Sequence, residues 1–200
     1  MHPSLDFHWT DRAALRDFVR ALPFGALFAA TPDGPRVVHL PAVWESDDCL
    51  AFHCGRGNAI TRHLDGVTAL FTVIGPEAYI SPDWYGLGPD QVPTWNYIAV
   101  ELEGQVARMD DDGLRRHLDQ LGAEQEEKLA PKAPWRLDKV APPKVDTLLR
   151  GIIGFRMTVT AWRGTRKLNE NKPLAARLAA ADALDAVGRR SVAAMMRAAR

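Results

Sequence analysis

A chain of 200 residues can bury one sizeable core, and its 46% apolar and 25% charged residues are ordinary globular values that exclude a disordered or fibrous protein. The formal net charge of zero hides an asymmetry: residues 161–200 carry nine Lys/Arg (163, 166, 167, 172, 177, 189, 190, 197 and 200) against Glu170, Asp182 and Asp185, so a −6 body precedes a +6 tail. No run reaches the length of a membrane span, and "MHPSLDFHWTDR" lacks a basic start followed by an apolar stretch, so the expectation is a cytoplasmic protein with no membrane partner.

In chain order, "TDRAALRDFVRAL" predicts an opening helix with Thr10 as N-cap and Leu15, Phe18, Val19 and Leu22 on one side. "GALFAA", "RVVHLPAVWE", "CLAFHC" and "VTALFTVI" read as antiparallel strands joined by "TPDGP" and "SDD", with "GNAITRHLDG" as a short helix before the fourth. Cys49 and Cys54 lie on opposite faces of their strand and read as reduced thiols. Residues 75–104 form an aromatic, Pro-punctuated stretch that leads into the long strand "TWNYIAVELEGQVARM". Asp110 to Asp112 then open an amphipathic helix carrying Leu114, Leu118 and Leu121.

"APKAPWRLDKVAPPKV" reads as irregular and "GIIGFRMTVTAWRGTRK" as the last strand. "NKPLAARLAAADAL" starts a helix with Asn171 or Lys172 as cap and Pro173 at its first position. Many evenly spaced strands that must hide their edges predict a mainly β fold with flanking helices, an antiparallel closed barrel. The predicted division is a barrel over residues 1–168 and a C-terminal helical extension over 169–200 packed on it.

Hydrolase, phosphate-loop, dinucleotide and C-x-x-C signatures are missing, and the six histidines (2, 8, 39, 53, 63 and 117) include no metal-ligating pair, so no metal is expected. Three segments carry ligand chemistry. In "FHCGRGNAITRH", His53, Arg56 and Asn58 stand where a strand gives way to a helix start; Gly55 and Gly57 allow close backbone approach, and Arg56 offers a fork for a phosphate. Taken alone, the same residues read more simply as a capped turn with a solvated arginine. His39, Leu40 and Pro41 lie on a strand where Pro41 removes a ladder donor; either the freed backbone meets a planar ligand, or Pro41 ends the strand and His39 is a satisfied core residue. Trp95, Asn96 and Tyr97 offer rigid planar surface and an amide, suited to a ring ligand or a subunit interface.

"HLPAVW", "HCGRGN", "AYISPDWY", "VPTWNY", "GIIGFRMTV" and "RKLNENK" occur in the order and at the spacing of the PaiB-type FMN-binding regulators, and from about Phe24 to the final helix the chain resembles that family. The resemblance implies a split β-barrel of the FMN-binding type, similar to pyridoxamine 5′-phosphate oxidase. It further implies a homodimer holding FMN in a shared pocket that the aromatic stretch helps to build. Carried onto this chain, the flavin contacts are His39, Leu40, Pro41, His53, Gly55, Arg56, Asn58, Ala59, Trp95, Asn96, Lys167 and Asn171. The chain departs from the family pattern at Gly55, Ala59, Glu101, Asn169 and Glu170. Glu170, in place of a neutral Gln, would set a negative charge beside the flavin phosphate if it points inward.

The implied function is negative transcriptional regulation, with DNA contact possible through the basic C-terminal segment. A flavin oxidoreductase of the pyridoxamine 5′-phosphate oxidase type is a second reading, because the isoalloxazine ring itself carries the redox chemistry. A flavin-free interaction protein on the same scaffold is a third, suggested by Glu170.

Overall fold

The computed structural model describes residues 2–199. Seven strands, β1 (His8–Trp9), β2 (Phe24–Thr31), β3 (Gly34–Trp44), β4 (Cys49–Gly55), β5 (Thr68–Ile80), β6 (Thr94–Arg108) and β7 (Ile152–Lys167), form one sheet. Its order is β1-β7-β4-β3-β2-β5-β6, and β6 also pairs with β7, so the ladder from β7 through β4, β3, β2, β5 and β6 returns to β7. The β1–β7, β2–β3, β2–β5, β3–β4 and β4–β7 pairings are antiparallel. The helices are α1 (Arg12–Ala21), α2 (Asp111–Glu127), α3 (Pro142–Arg150), α4 (Leu174–Ala186) and α5 (Arg190–Ala198).

Several local details differ from expectation. The cap of α1 is Asp11, whose Oδ1 accepts the Ala14 N–H at 3.1 Å, one residue later than Thr10. β5 runs on through "GPEAYI", so Tyr79 sits on a strand and the loop before β6 begins only at Ser81. Gly75 makes this possible: a Cβ there would lie 2.7 Å from Phe18 Cζ. The short helix after β4 is a single 3-10 turn, Thr61–His63. The stretch read as irregular contains α3, whose first residues are Pro142 and Pro143, where a missing N–H costs nothing. α4 starts at Leu174 with Pro173 as its N-cap residue.

The backbone divides into two compact units, one holding the N-terminal residues to Phe18, Val73–Glu101 and the chain from Arg163 on, the other Val19–Thr72 and Leu102–Trp162. In the second unit, Phe52 of β4 and Phe155 of β7 are register partners whose rings stack at 5.7 Å, within a core that includes Leu27, Leu50, Phe71 and Met157. Gly25 on β2 permits this density, since a Cβ there would lie 2.5 Å from the Thr72 carbonyl oxygen. In the first unit, Ile80, Tyr85, Ile98 and Leu168 pack with Ala176, Ala180, Ala181 and Leu184 of α4 and with Val192 and Met196 of α5. The small alanines let the other side chains of this core approach the α4 backbone closely.

Among the described residues no helix is long and apolar enough to cross a membrane, and no group of three or more His, Cys, Asp or Glu could hold a metal ion. Cys49 and Cys54 are free thiols, and burial pushes Cys54 up to about 11, so it stays protonated at neutral pH.

Candidate functional site

The residues singled out in the sequence fall into two sets, one in each unit. In the second unit, β3 and β2 pair so that Pro41 faces Phe24, His39 faces Ala26 and Val37 faces Phe28. Partners in an antiparallel ladder share a face, and this one exposes Phe24, Phe28, Val37 and His39 to solvent. His39 is therefore not a satisfied core residue. Leu40 points the other way and is buried, so only its backbone could serve a ligand on this face. Pro41 sits inside β3, where the pairing changes: it is the last residue to face β2, and Ala42 is the first to face β4.

The turn after β4 is open. Gly55, Arg56, Asn58 and Ala59 are all exposed. Arg56 is not simply solvated, because its backbone N–H donates to the Gly151 carbonyl at 2.8 Å and its Nε to the Arg150 carbonyl at 2.9 Å. Both carbonyls belong to the C-terminal end of α3, the negative end of its dipole. With Nε committed, the two terminal nitrogens remain for a ligand. A Cβ built on Gly55 or Gly57 meets nothing within 4 Å, and neither has a positive φ, so nothing in the chain itself calls for glycine there. Asn58 does cap its turn, accepting the Ile60 N–H on Oδ1 at 3.3 Å. A three-residue 3-10 turn follows, so the helix dipole expected at this site is absent.

His53 faces inward from this turn. Its Nδ1 lies 3.0 Å from Nε2 of His117, which is fully buried on α2. Burial lowers the pKa of His53, and burial followed by the neighbouring His53 charge lowers that of His117 to about 4. Two facing ring nitrogens can share one proton but not hold two, so at neutral pH both rings are uncharged. Beside this pair in the fold, Arg156 of β7 makes a two-pronged ion pair with Glu45, with Nη2 to Oε1 at 3.1 Å.

A cleft of about 440 Å³ opens next to Arg56, lined also by Arg108, Arg115 and Arg150, with Asp110, Asp111 and Asp146. Sequence reading missed this gathering. The four arginines stand on four different elements, and no spacing rule connects them.

The other set lies in the first unit. Trp95 is half exposed, packs edge-on against Tyr79 at 5.9 Å and donates from its indole N–H to Glu77. Asn96 is fully buried; its Nδ2 meets Met196 Sδ at 3.3 Å while its Oδ1 has no partner. Lys167 donates from Nζ to Thr94 Oγ1 at 2.6 Å and lies over the Phe7 ring, and Asn171 is exposed. Asn169, buried beside Tyr85, takes a left-handed φ of 66°. Lys172 donates to Gln91 at 2.8 Å and lies 4.9 Å from the Tyr85 ring centre, tying the aromatic loop to the segment after β7.

Glu170 turns back on its own loop. Its Oε2 accepts the Leu168 N–H at 2.6 Å and its Oε1 lies 3.3 Å from Arg166 Nε, so its charge is matched locally. The basic tail is likewise largely engaged: Arg163 pairs with Glu101, and Arg197 pairs with Asp182 and Asp185 of α4. Arg189 and Arg190 are exposed without an ion-pair partner among the described residues, and Arg200 lies outside them.

An antiparallel ladder that closes on itself, with helices flanking it, is shared with solved flavoprotein structures. The FAD and heme binding protein from Mycobacterium smegmatis superposes with a TM-score of 0.59 at 16% identity, over 80% of this chain and 73% of that one. The flavocytochrome Anf3 from Azotobacter vinelandii gives 0.57 at 14% identity, over 84% and 72%. This likeness defines the fold, a split barrel. Residues 1–161 match the family model described as "Putative FMN-binding domain", and the chain belongs to that family. It is 29% identical over 170 residues to the protease synthase and sporulation protein PAI 2 of Bacillus subtilis (strain 168), covering 83% of this chain and 80% of that protein.

Proposed function

We propose that the chain binds FMN and acts as a PaiB-like negative transcriptional regulator in the cytoplasm, as a homodimer with a shared flavin pocket. The observation that carries the ligand is the turn after β4. An arginine fork anchored through Nε is flanked by two glycines whose Cβ positions are empty, which suits the close approach of a phosphate group. Arg56 holds the phosphate in this reading, with Gly55, Asn58 and Ala59 shaping the approach. His39, Pro41 and the backbone of Leu40 offer a flat, partly apolar face for the ring or the second subunit. An exposed face bearing Phe24, Phe28 and Val37 favours a partner over bare solvent. In the shared pocket of the homodimer, Trp95, Asn96, Lys167 and Asn171 come from the second copy of the chain and supply planar surface, amides and a positive charge, and His53 supports the turn from behind through His117. When bound, the isoalloxazine supplies redox capacity.

The match of Glu170 to Arg166 and the Leu168 amide removes the main argument for a flavin-free protein. Of the described arginines from Arg189 to Arg197, Arg189 and Arg190 are left for any DNA contact, because Arg197 is engaged with α4.

The test is the visible absorption spectrum of the purified protein, followed by flavin titration of the parent and of Arg56→Ala. Losing a charge-assisted contact should weaken FMN about ten- to a hundredfold and leave riboflavin binding nearly unchanged. A variant that is folded by circular dichroism and binds FMN as the parent does would overturn the assignment of Arg56.

A further inference from the structure

We propose that the cleft bounded by the end of β6, the start of α2 and the end of α3 is a phosphate-binding site held by Arg108 and Arg150 together with Arg56. It meets the flavin reading at Arg56 and rests on that reading for this residue alone.

Four guanidiniums share a cavity of about 440 Å³ with three carboxylates. Two of the carboxylates are already used. Asp110 Oδ1 accepts the Gly113 N–H at 2.7 Å as the cap of α2, and Asp146 Oδ1 accepts from Arg115 Nη2 at 3.2 Å. Asp111 in the first turn of α2 is the remaining acid, and it stands against Arg56, Arg108 and Arg150. Arg56 has spent only Nε, Arg150 gives Nη2 to Thr147 at 3.2 Å, and Arg108 has no side-chain partner among the described residues. Like charges repel, so gathering them costs free energy that an anion in the cleft returns. All three arginines are exposed, so a ligand can reach them from solvent. Planar forks from three separate elements suit the tetrahedral oxygens of a phosphate better than a flat carboxylate.

Two sources supply this chemistry: the phosphate of a flavin nucleotide, or a separate phosphorylated metabolite. The experiment is calorimetric titration of the full chain with inorganic phosphate and with pyrophosphate, repeated on Arg108→Ala, Arg150→Ala and the double variant. Arg150→Ala keeps the backbone carbonyl that receives Arg56, so the turn after β4 is preserved. Each single substitution should weaken pyrophosphate about tenfold and the pair more, while Arg116→Ala, an exposed arginine of α2 outside the cleft, changes nothing. Displacement of pyrophosphate by FMN but not by riboflavin assigns the cleft to the flavin phosphate; pyrophosphate that persists under saturating FMN assigns it to a separate metabolite. No saturable anion binding by the parent at millimolar concentration overturns the proposal, as does equal weakening by Arg116→Ala. If FMN binds under those outcomes, the flavin reading survives without the cleft; if pyrophosphate binds and no flavin does, the cleft survives alone.

Discussion

The turn after β4 and the segment after β7 present their polar groups in opposite ways. Around Arg56 the chain is open: the guanidinium is anchored on one nitrogen, a Cβ on either neighbouring glycine would meet nothing within 4 Å, and charged side chains line an adjoining cleft. Around Asn96 and Asn169 the chain is closed: both amides are buried, and Asn96 Oδ1 and Asn169 Nδ2 lack partners. An exposed group keeps water as its default partner and can wait for a ligand at little cost, whereas a buried orphan costs stability continuously. The first region can therefore be altered with changes in binding and not in folding, and the second couples the two.

The largest effect should separate glycines the chain itself needs from glycines it does not. Gly25→Ala places a Cβ against the Thr72 carbonyl, which cannot move without breaking the β2–β5 ladder, and should cost about 3 kcal/mol in urea denaturation. Gly55→Ala and Gly57→Ala should leave the urea midpoint almost unmoved and show their effect only as weaker FMN binding. If either alanine destabilises the free chain as much as Gly25→Ala, the turn is not the open region described here.

Next comes pH. The folded chain holds His117 near 4 while an unfolded His titrates near 6.5, so the unfolded state binds the proton first as pH falls. Stability should be complete above about 6.5, decline as pH drops toward about 4, and level off below, a loss on the order of 3 kcal/mol. His117→Phe should flatten that slope in denaturation curves taken across the window; an unchanged slope would move its origin elsewhere.

A smaller effect distinguishes the closed region from a purely structural core. Asn96→Leu removes an orphaned acceptor of similar volume and should stabilise the ligand-free chain by about 1 kcal/mol while weakening flavin binding. Stabilisation without loss of flavin affinity would make Asn96 a packing residue. Smallest of all, Arg197→Ala breaks two exposed ion pairs with Asp182 and Asp185 and should leave Tm nearly unchanged. It should also leave any DNA affinity and its salt slope intact, whereas Arg189→Ala with Arg190→Ala should lower both if the tail meets DNA.

What was legible along the chain was local. Asp110 at the start of α2 and the alternation of β2 and of the first half of β3 follow from caps and period two, which depend on neighbours within a turn or a pleat. Signals that depend on context misled. Gly75 and Pro76 read as a break, yet β5 passes through them because Phe18 needs the missing Cβ. Pro142 and Pro143 read as irregular chain, yet they occupy helix positions where no N–H is required. β1 is two residues long and exists only because Trp9 and His8 find Gly164 and Thr165.

By itself, then, the amino-acid order determined the strand-rich pattern, the family motifs and the arginine at the turn after β4, all of which are written in short runs. Only the tertiary structure decided that His53 turns inward to His117, that Glu170 is matched by Arg166, and that Arg108, Arg115 and Arg150 join Arg56 around one cleft. Each of these depends on side-chain direction or on pairing registers between distant elements. Those are set by burial of the common core, which places the charged groups without leaving a periodic trace in the residues that carry them.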